Sequence, residues 1–418
     1  MHSISNKRVA ILAVFILIMS FVLTRENISQ AVAPDIGSWQ SLGRQVLAQN
    51  DGWAAAEGGT IGGTRADANH ILTVTNLKQL LQALGGGNKG TDTTPKIIFI
   101  KGIINGNEDD TDKPLNCKAP NGPLEDASGT KESTHIQILI PSNTTIIGDP
   151  AGARVVGASF ALEGVKNVII RNIQFENVFD CFLNLKYDNM AINGSNHVWI
   201  DHNSFIGAIK PNTQRAPSFG DGLLDIVRGS DLITVSWNRF SNHNKMMLIG
   251  ASDEATDDNG KLRVTLHHND FRNIVQRSPR TRYGQVHTYN NYNNQMDNAS
   301  LQYTLGVGIS SRIFAQNNYY LLPLRTTAAG IIKAYQGTAI HTEGDMVNKV
   351  PIDLLKAYNA TRIPTLKGDV SWTPTFHGPV DPTRCVPSLV PRNAGVTRTF
   401  TVLQNSRANF SPTACPIL

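Results

Sequence analysis

Charge is scarce in this 418-residue chain. Lys, Arg, Asp and Glu make up 17% of it, against roughly 25% in an average soluble protein. Hydrophobic residues reach 40%, enough for a large core and too many for a disordered chain. Cysteine is scarcer still: Cys117, Cys181, Cys385 and Cys415, with no C-x-x-C pair. That excludes a disulfide-dense miniprotein, a zinc ribbon and a thioredoxin-like motif. Gly (35) and Pro (20) stay near ordinary abundance, so collagen-like and low-complexity chains are excluded. No Lys/Arg block occurs, so nucleic-acid binding has no support. Of the net charge of +5, Lys7, Arg8 and Arg25 against Glu26 supply +2 within the first 33 residues. The small positive excess that remains suits a polyanionic substrate if it is focused in one groove.

No apolar run is long enough for an ordinary membrane span. The longest, Val9–Leu23, has 15 residues, follows Lys7 and Arg8, and precedes Ala31, Val32 and Ala33. A basic start, an apolar stretch and small residues read as an export signal over residues 1–33, with an uncleaved anchor as the alternative. Residues 34–418 are then expected to be one secreted domain, monomeric and without stable membrane association. Export permits disulfides. Cys385 and Cys415 sit in a Pro-rich tail and are paired on that ground, leaving Cys117 and Cys181 as the second pair. Four cysteines allow three connectivities, and the sequence does not choose among them.

What the chain has is repetition. Short Val/Ile/Thr-rich runs end in Asn followed by an aromatic two residues on: Asn203/Phe205, Asn238/Phe240, Asn269/Phe271, Asn290/Tyr292 and Asn317/Tyr319, with Asn172/Phe175 as a looser copy. The gaps between these Asn residues are 31, 35, 31, 21 and 27. Self-similarity at that period means a solenoid. Missing helical periodicity and missing Asn-Gly hairpin loops favour an all-β, right-handed parallel β-helix over a meander. The repeated Asn is expected at one corner of every rung, tolerating left-handed backbone and bonding to the Asn above and below. Val74–Gly86 carries Leu77, Leu80, Leu81 and Leu84 on one helical face and is expected to cap the solenoid before its first rungs. Residues 320–418 read as long outer loops.

Three acids and several bases fall on the repeats. Asp221 and Asp225 are four apart, so a strand turns both to one side, and Asp188 lies one rung earlier. Three converging carboxylates repel unless a hard cation joins them, and oxygen-only ligation selects Ca²⁺. Lys245 follows, then Arg277, Arg280 and Arg282 in "QRSPRTRYG". Such a groove suits a polymer of carboxylates bridged through calcium. A salt-bridge ladder is the plainer account of the same charges.

The stretches "SNTTIIG" (142–148), "NVIIRNIQF", "VWIDH" (198–202), "DGLLDIVRGSD" (221–231) and "RSPRTRYGQVHTYNN" (277–291) resemble, in order and spacing, the pectate lyases of polysaccharide lyase family 1. The resemblance covers roughly residues 70–320. It implies a right-handed parallel β-helix and Ca²⁺-dependent cleavage of polygalacturonate by β-elimination. It also places Asp188, Asp221 and Asp225 at calcium positions, Lys245 and Arg282 at substrate positions, and Arg277 at the catalytic base. Lys186 and Val227 depart from some members, which carry a further acid and a further lysine there. Asp201 and His202 belong to a motif whose role in the family looks structural. Two other readings remain: a pectin lyase acting on esterified polymer, which would need no calcium ligands, and a non-catalytic β-helix that binds polysaccharide, which would need the groove without Arg277.

Overall fold

Runs with aliphatic residues at every second position bury one face, and here that face points into a coil. Val168, Val198, Ile233, Val264, Val286, Ile313 and Ile340 stand in one row of parallel pairing. All are buried in one core that runs through the molecule. The computed structural model describes residues 36–106, 108, 136–176, 178, 187–207, 220–297, 300–399, 402, 403 and 415. The proposed export segment 1–33, Cys117, Cys181 and Lys186 lie outside the described residues. Ile36–Leu418 form one unit. No helix among the described residues is long and apolar enough to cross a membrane.

Each turn of the chain feeds three columns of parallel strands. The first includes Lys166–Arg171, Asn196–Asp201, Asp231–Ser236, Val264–His267, Gln285–Tyr289 and Arg312–Gln316. The second includes Gln174–Glu176, Ser204–Ile206, Arg239–Lys245, Asp270–Gln276, Tyr292–Asn294 and Tyr319–Leu321. The third includes Met190–Asn193, Leu224–Val227, Leu248–Ile249, Arg280–Thr281, Leu305–Val307 and Ile332–Ala334. The one antiparallel pairing among the described strands joins Met346–Val347 to Val350–Pro351. This is a parallel β-helix. Inside it Phe175, Phe205 and Phe240 stack nearly face to face, with centroids 5.1 and 4.7 Å apart. Each such pair adds about 1 kcal/mol beyond its buried area.

The Asn ladder exists, with a shift of one residue in two rungs. Side-chain amides link Asn203 to Asn238 (3.1 Å), Asn238 to Asn269 (3.2 Å), Asn269 to Asn291 (3.0 Å) and Asn291 to Asn318 (3.0 Å). Asn290 and Asn317, the expected members, instead hold the left-handed corner just before it, as Asn172, His202, Trp237 and His268 do on other rungs. The two jobs expected of one Asn are thus divided between neighbours. The left-handed residue turns the chain, and the next one bonds across rungs. The ladder continues to Asp345, whose Oδ1 accepts from the Asn318 backbone N–H at 2.8 Å.

The solenoid also runs further than expected. Ile332–Ala334, Ile340–Glu343 and Met346–Val347 are still rung strands, and only the chain beyond them forms outer loops and the short helices Leu354–Asn359 and Val386–Asn393. Cys385 and Cys415 are bonded to each other. The helix after Asn76, Leu77–Ala83, buries Leu77 and Leu80 in the end of the core. It follows the first strand, Ile71–Val74, rather than preceding every rung. The Asn76 side chain accepts from the Gln79 N–H and fixes its start.

Candidate active site

The third column begins, on successive rungs, with the acids singled out in the sequence. Asp188 precedes Met190–Asn193, Asp221 precedes Leu224–Val227, and Asp225 lies within that strand, paired with Ala191. Lys245 ends the second-column strand Arg239–Lys245 and bridges in parallel to Gly222. Its register partner on the next rung is Gln276, immediately before Arg277. One corner of the coil therefore gathers Asp188, Asp221, Asp225, Lys245 and Arg277. Gly222 makes the gathering possible. A Cβ there would stand 2.8 Å from Asp188 Oδ1 and 3.1 Å from Asp225 Oδ1, so any side chain would push the two carboxylates apart.

Electrostatics sets this corner apart. Burial pushes the Asp188 carboxyl well above the usual carboxylate range, and the neighbouring charges of Asp225 and Asp221 push it further, against the Gly222 N–H that donates to it at 2.6 Å. Burial raises Asp225 to about 6, although the Leu248 N–H (2.8 Å) and the Arg277 guanidinium pull the other way. Lys245 Nζ donates to Asp221 Oδ1. Among the described residues, no three Asp, Glu, His or Cys side chains already surround one point closely enough to hold an ion. Asp221 is engaged by Lys245 rather than turned fully to the other two. Arg277 has left-handed backbone (φ 65°), an uncommon and strained state for a long side chain. Its Nε is buried without a hydrogen-bond partner.

Arg282 stands further along the third column. It follows Arg280–Thr281, and its backbone N–H donates to the Ile249 carbonyl at 2.7 Å. It is 8% exposed, with Nε donating to Asp253 Oδ1 at 2.5 Å and Nη1 to the Gly250 carbonyl at 3.0 Å. Arg280, between the two arginines, lies over the Tyr335 ring at 4.1 Å. Burial lowers its affinity for its proton, as do the Arg282 and Arg277 charges. Sequence reasoning missed Gly222, Asp253 and His243, whose Nε2 meets the Asp221 carbonyl at 3.0 Å. Gly222 stands within the "DGLLD" stretch but has no side chain to suggest a role, and Asp253 and His243 are ordinary residue types outside any repeat.

Asp201 and His202 play another part. Burial alone would raise Asp201, but His202 and Arg171 outweigh it and hold the carboxyl at about 2. Asp201 Oδ1 accepts from Ser236 Oγ (2.7 Å), and Oδ2 accepts from Arg171 Nε and meets His202 Nδ1, both at 2.8 Å. All three side chains are fully buried. This buried network sits in the first column, and it braces the rungs.

Comparison with known proteins agrees with this picture. The family description "Pectate lyase" matches residues 40–397. A pectate lyase of Bacillus subtilis (strain 168) is 39% identical over 402 residues, covering 85% of this chain and 93% of its own. Pectate lyase E of Dickeya dadantii (strain 3937) is 33% identical over 338 residues, 73% of this chain and 78% of its own. A thermostable pectate lyase structure superposes with a TM-score of 0.77 at 38% identity, covering 86% of this chain and 99% of that one. A pectate lyase bound to a hexasaccharide gives 0.74 at 38% identity, covering 85% and 99%. With a parallel β-helix, an acid-and-base corner on its third column and relatives that span nearly the whole solenoid, the chain belongs to the pectate lyase family and is a polysaccharide lyase of polygalacturonate.

Proposed function

We propose that the chain is a secreted, Ca²⁺-dependent pectate lyase that cleaves α-1,4-linked polygalacturonate by β-elimination and leaves unsaturated oligogalacturonides. The observation that carries this reading is the mutual repulsion of Asp188, Asp225 and Asp221 beside one unpartnered arginine nitrogen. The donor set fits a hard cation. It offers carboxylate oxygens, and a divalent ion would offset the burial and the Asp225 and Asp221 charges that together raise Asp188. Asp188, Asp221 and Asp225 would hold the ion. An ion held there would supply Lewis acidity beside a uronate carboxylate, which makes the adjacent C5–H more acidic.

The chain's own residues do the rest. Lys245 and Arg282 place positive charge around the substrate carboxylate, where negative charge builds up as the proton leaves. Arg277 accepts the C5 proton. The C5–H electron pair becomes the C4–C5 double bond, the C4–O bond breaks, and the departing oxygen is protonated from water. A guanidinium ordinarily keeps its proton. The step therefore requires Arg277 to enter in its neutral form, and its Nε has no hydrogen-bond partner. Residues 1–33 would direct export, and the mature enzyme would act as a monomer.

The test is ultraviolet absorbance of the unsaturated product from polygalacturonate, with and without calcium, for wild type and for Arg277→Ala and Arg277→Lys. Loss of a general base should lower turnover by about 10²–10⁴-fold. Full turnover in Arg277→Lys, or an unchanged rate after chelation, overturns the assignment. Activity confined to methyl-esterified pectin would instead mark a pectin lyase. Binding without product would mark a non-catalytic polysaccharide-binding protein.

A further inference from the structure

We infer that Asp253 is a positioning residue for the lyase reaction: it clamps the Arg282 guanidinium so that one edge alone faces the substrate. The inference rests on Arg282 being the substrate contact proposed above. Arg282 has three nitrogens to place. Nε is held by Asp253 Oδ1 at 2.5 Å and Nη1 by the Gly250 carbonyl at 3.0 Å. Nη2 has no hydrogen-bond partner among the described residues and is not counted among the buried orphan atoms. The aliphatic stem is packed between two glycines. A Cβ on Gly250 would stand 2.8 Å from Arg282 Cβ, and one on Gly308 2.8 Å from Arg282 Cγ. The stem cannot swing, the inner edge is tied, and the outer nitrogen is left to meet an anion.

Asp253 is itself braced from three sides. Its Oδ2 accepts from Gln336 Nε2 at 2.9 Å, and its backbone carbonyl accepts from the Tyr283 hydroxyl at 2.5 Å. Its loop is anchored by buried Asp258, which accepts from the Gly229 N–H at 2.6 Å and the Ala251 N–H at 3.1 Å. Side chains from two other rungs, Arg282 with Tyr283 and Gln336, therefore converge on Asp253. A surface ion pair needs no such support and is worth little. A guanidinium held by a carboxylate on one edge and open on the other is suited to bidentate or end-on recognition of a second carboxylate.

The clamp gives a kinetic signature that a merely structural role would not. Asp253→Ala keeps the Arg282 charge and releases its geometry. We expect kcat on polygalacturonate to fall about tenfold while KM stays level or drops, because the unshielded guanidinium still attracts the polymer. Arg282→Ala should raise KM. The double variant should be no worse than Arg282→Ala alone, since the two act through one group. Asp253→Asn, which keeps an acceptor for Nε, should recover to within about threefold of wild type, and Gln336→Ala should lower kcat by about two- to threefold. These two milder variants carry the test if Asp253→Ala fails to fold. Wild-type kcat in the Asp253 and Gln336 variants, additive losses in the double variant, or losses that track a falling melting temperature overturn the inference. Where wild type cleaves and Arg282→Ala raises KM, such a result refutes the clamp alone. A wild type that forms no unsaturated product refutes the proposed function and the clamp with it.

Discussion

The end of the amide ladder makes a quantitative prediction. In each earlier rung the ladder side chain donates an N–H to a first-column carbonyl: Ile170, Ile200, Val235, Leu266 and Thr288 in turn. Asp345 occupies the next place and brings an oxygen where those rungs bring a donor. Its Oδ2 is buried without a partner. Burial raises its carboxyl to about 7, against the Asn318 donors and with Glu343 adding to the rise. Asp345 faces Tyr320 and Glu343 and lines a recess of about 690 Å³ that also holds Asp353 and Arg384. A carboxyl raised from 3.8 to about 7 favours the folded state while protonated. Its contribution is complete below about pH 4 and is lost as pH rises through 7. At 1.36 kcal/mol per unit the loss is at most about 4 kcal/mol. Asp345→Asn keeps the Oδ1 acceptor and supplies the missing donor. Denaturant unfolding at pH 5 and pH 8.5 under fixed calcium should show the variant gaining on wild type by about 2–3 kcal/mol as pH rises. Parallel stability curves, or a variant weaker than wild type at pH 8.5, would refute the reasoning.

Two further outcomes follow from the same framework. Asn238→Ala removes the side-chain acceptor of the Asn203 N–H, one of the two acceptors of the Asn203 amide (the Ile170 carbonyl is the other) and a donor to the Ile200 carbonyl, all buried, and should cost about 3 kcal/mol in unfolding experiments. A cost under about 0.5 kcal/mol would mean that the ladder is decorative. Cys385→Ser opens a link across 30 residues, which chain-entropy reasoning values at about 3–4 kcal/mol. A melting curve identical to that of the wild-type oxidised protein would contradict it.

The solenoid was legible because a coil that stacks like on like must repeat its corner chemistry, and Asn203, Asn238 and Asn269 advertise it. Legibility failed where the letters doubled. In "NN" at 290–291 and 317–318 either Asn could bond across rungs, and only backbone handedness separates them. It failed again at 293, where Asn takes the register place of the inward Phe271, and past residue 320, where the ladder ends in Asp345. For the site, the acids, Lys245 and Arg277 came from motif spacing, and the coil brings them together. Asp253 and Gln336 lie 29 and 54 residues from Arg282 along the chain and carry no pattern. What joins them is the pitch of the coil, which no local window contains.

The buried Arg171 reaches beyond its own rung. Nη1 donates to Gln45 Oε1 and Nη2 to the Leu403 carbonyl, both at 2.8 Å, while Nε is held by Asp201. One guanidinium thus buckles the segment leading into the coil to the segment leaving it, like a clasp closed around the middle of a spring. Fraying at either margin would tug on the same rung, so replacing Gln45 and trimming around residue 403 should weaken the protein in the same place, each by freeing a different nitrogen of one buried guanidinium.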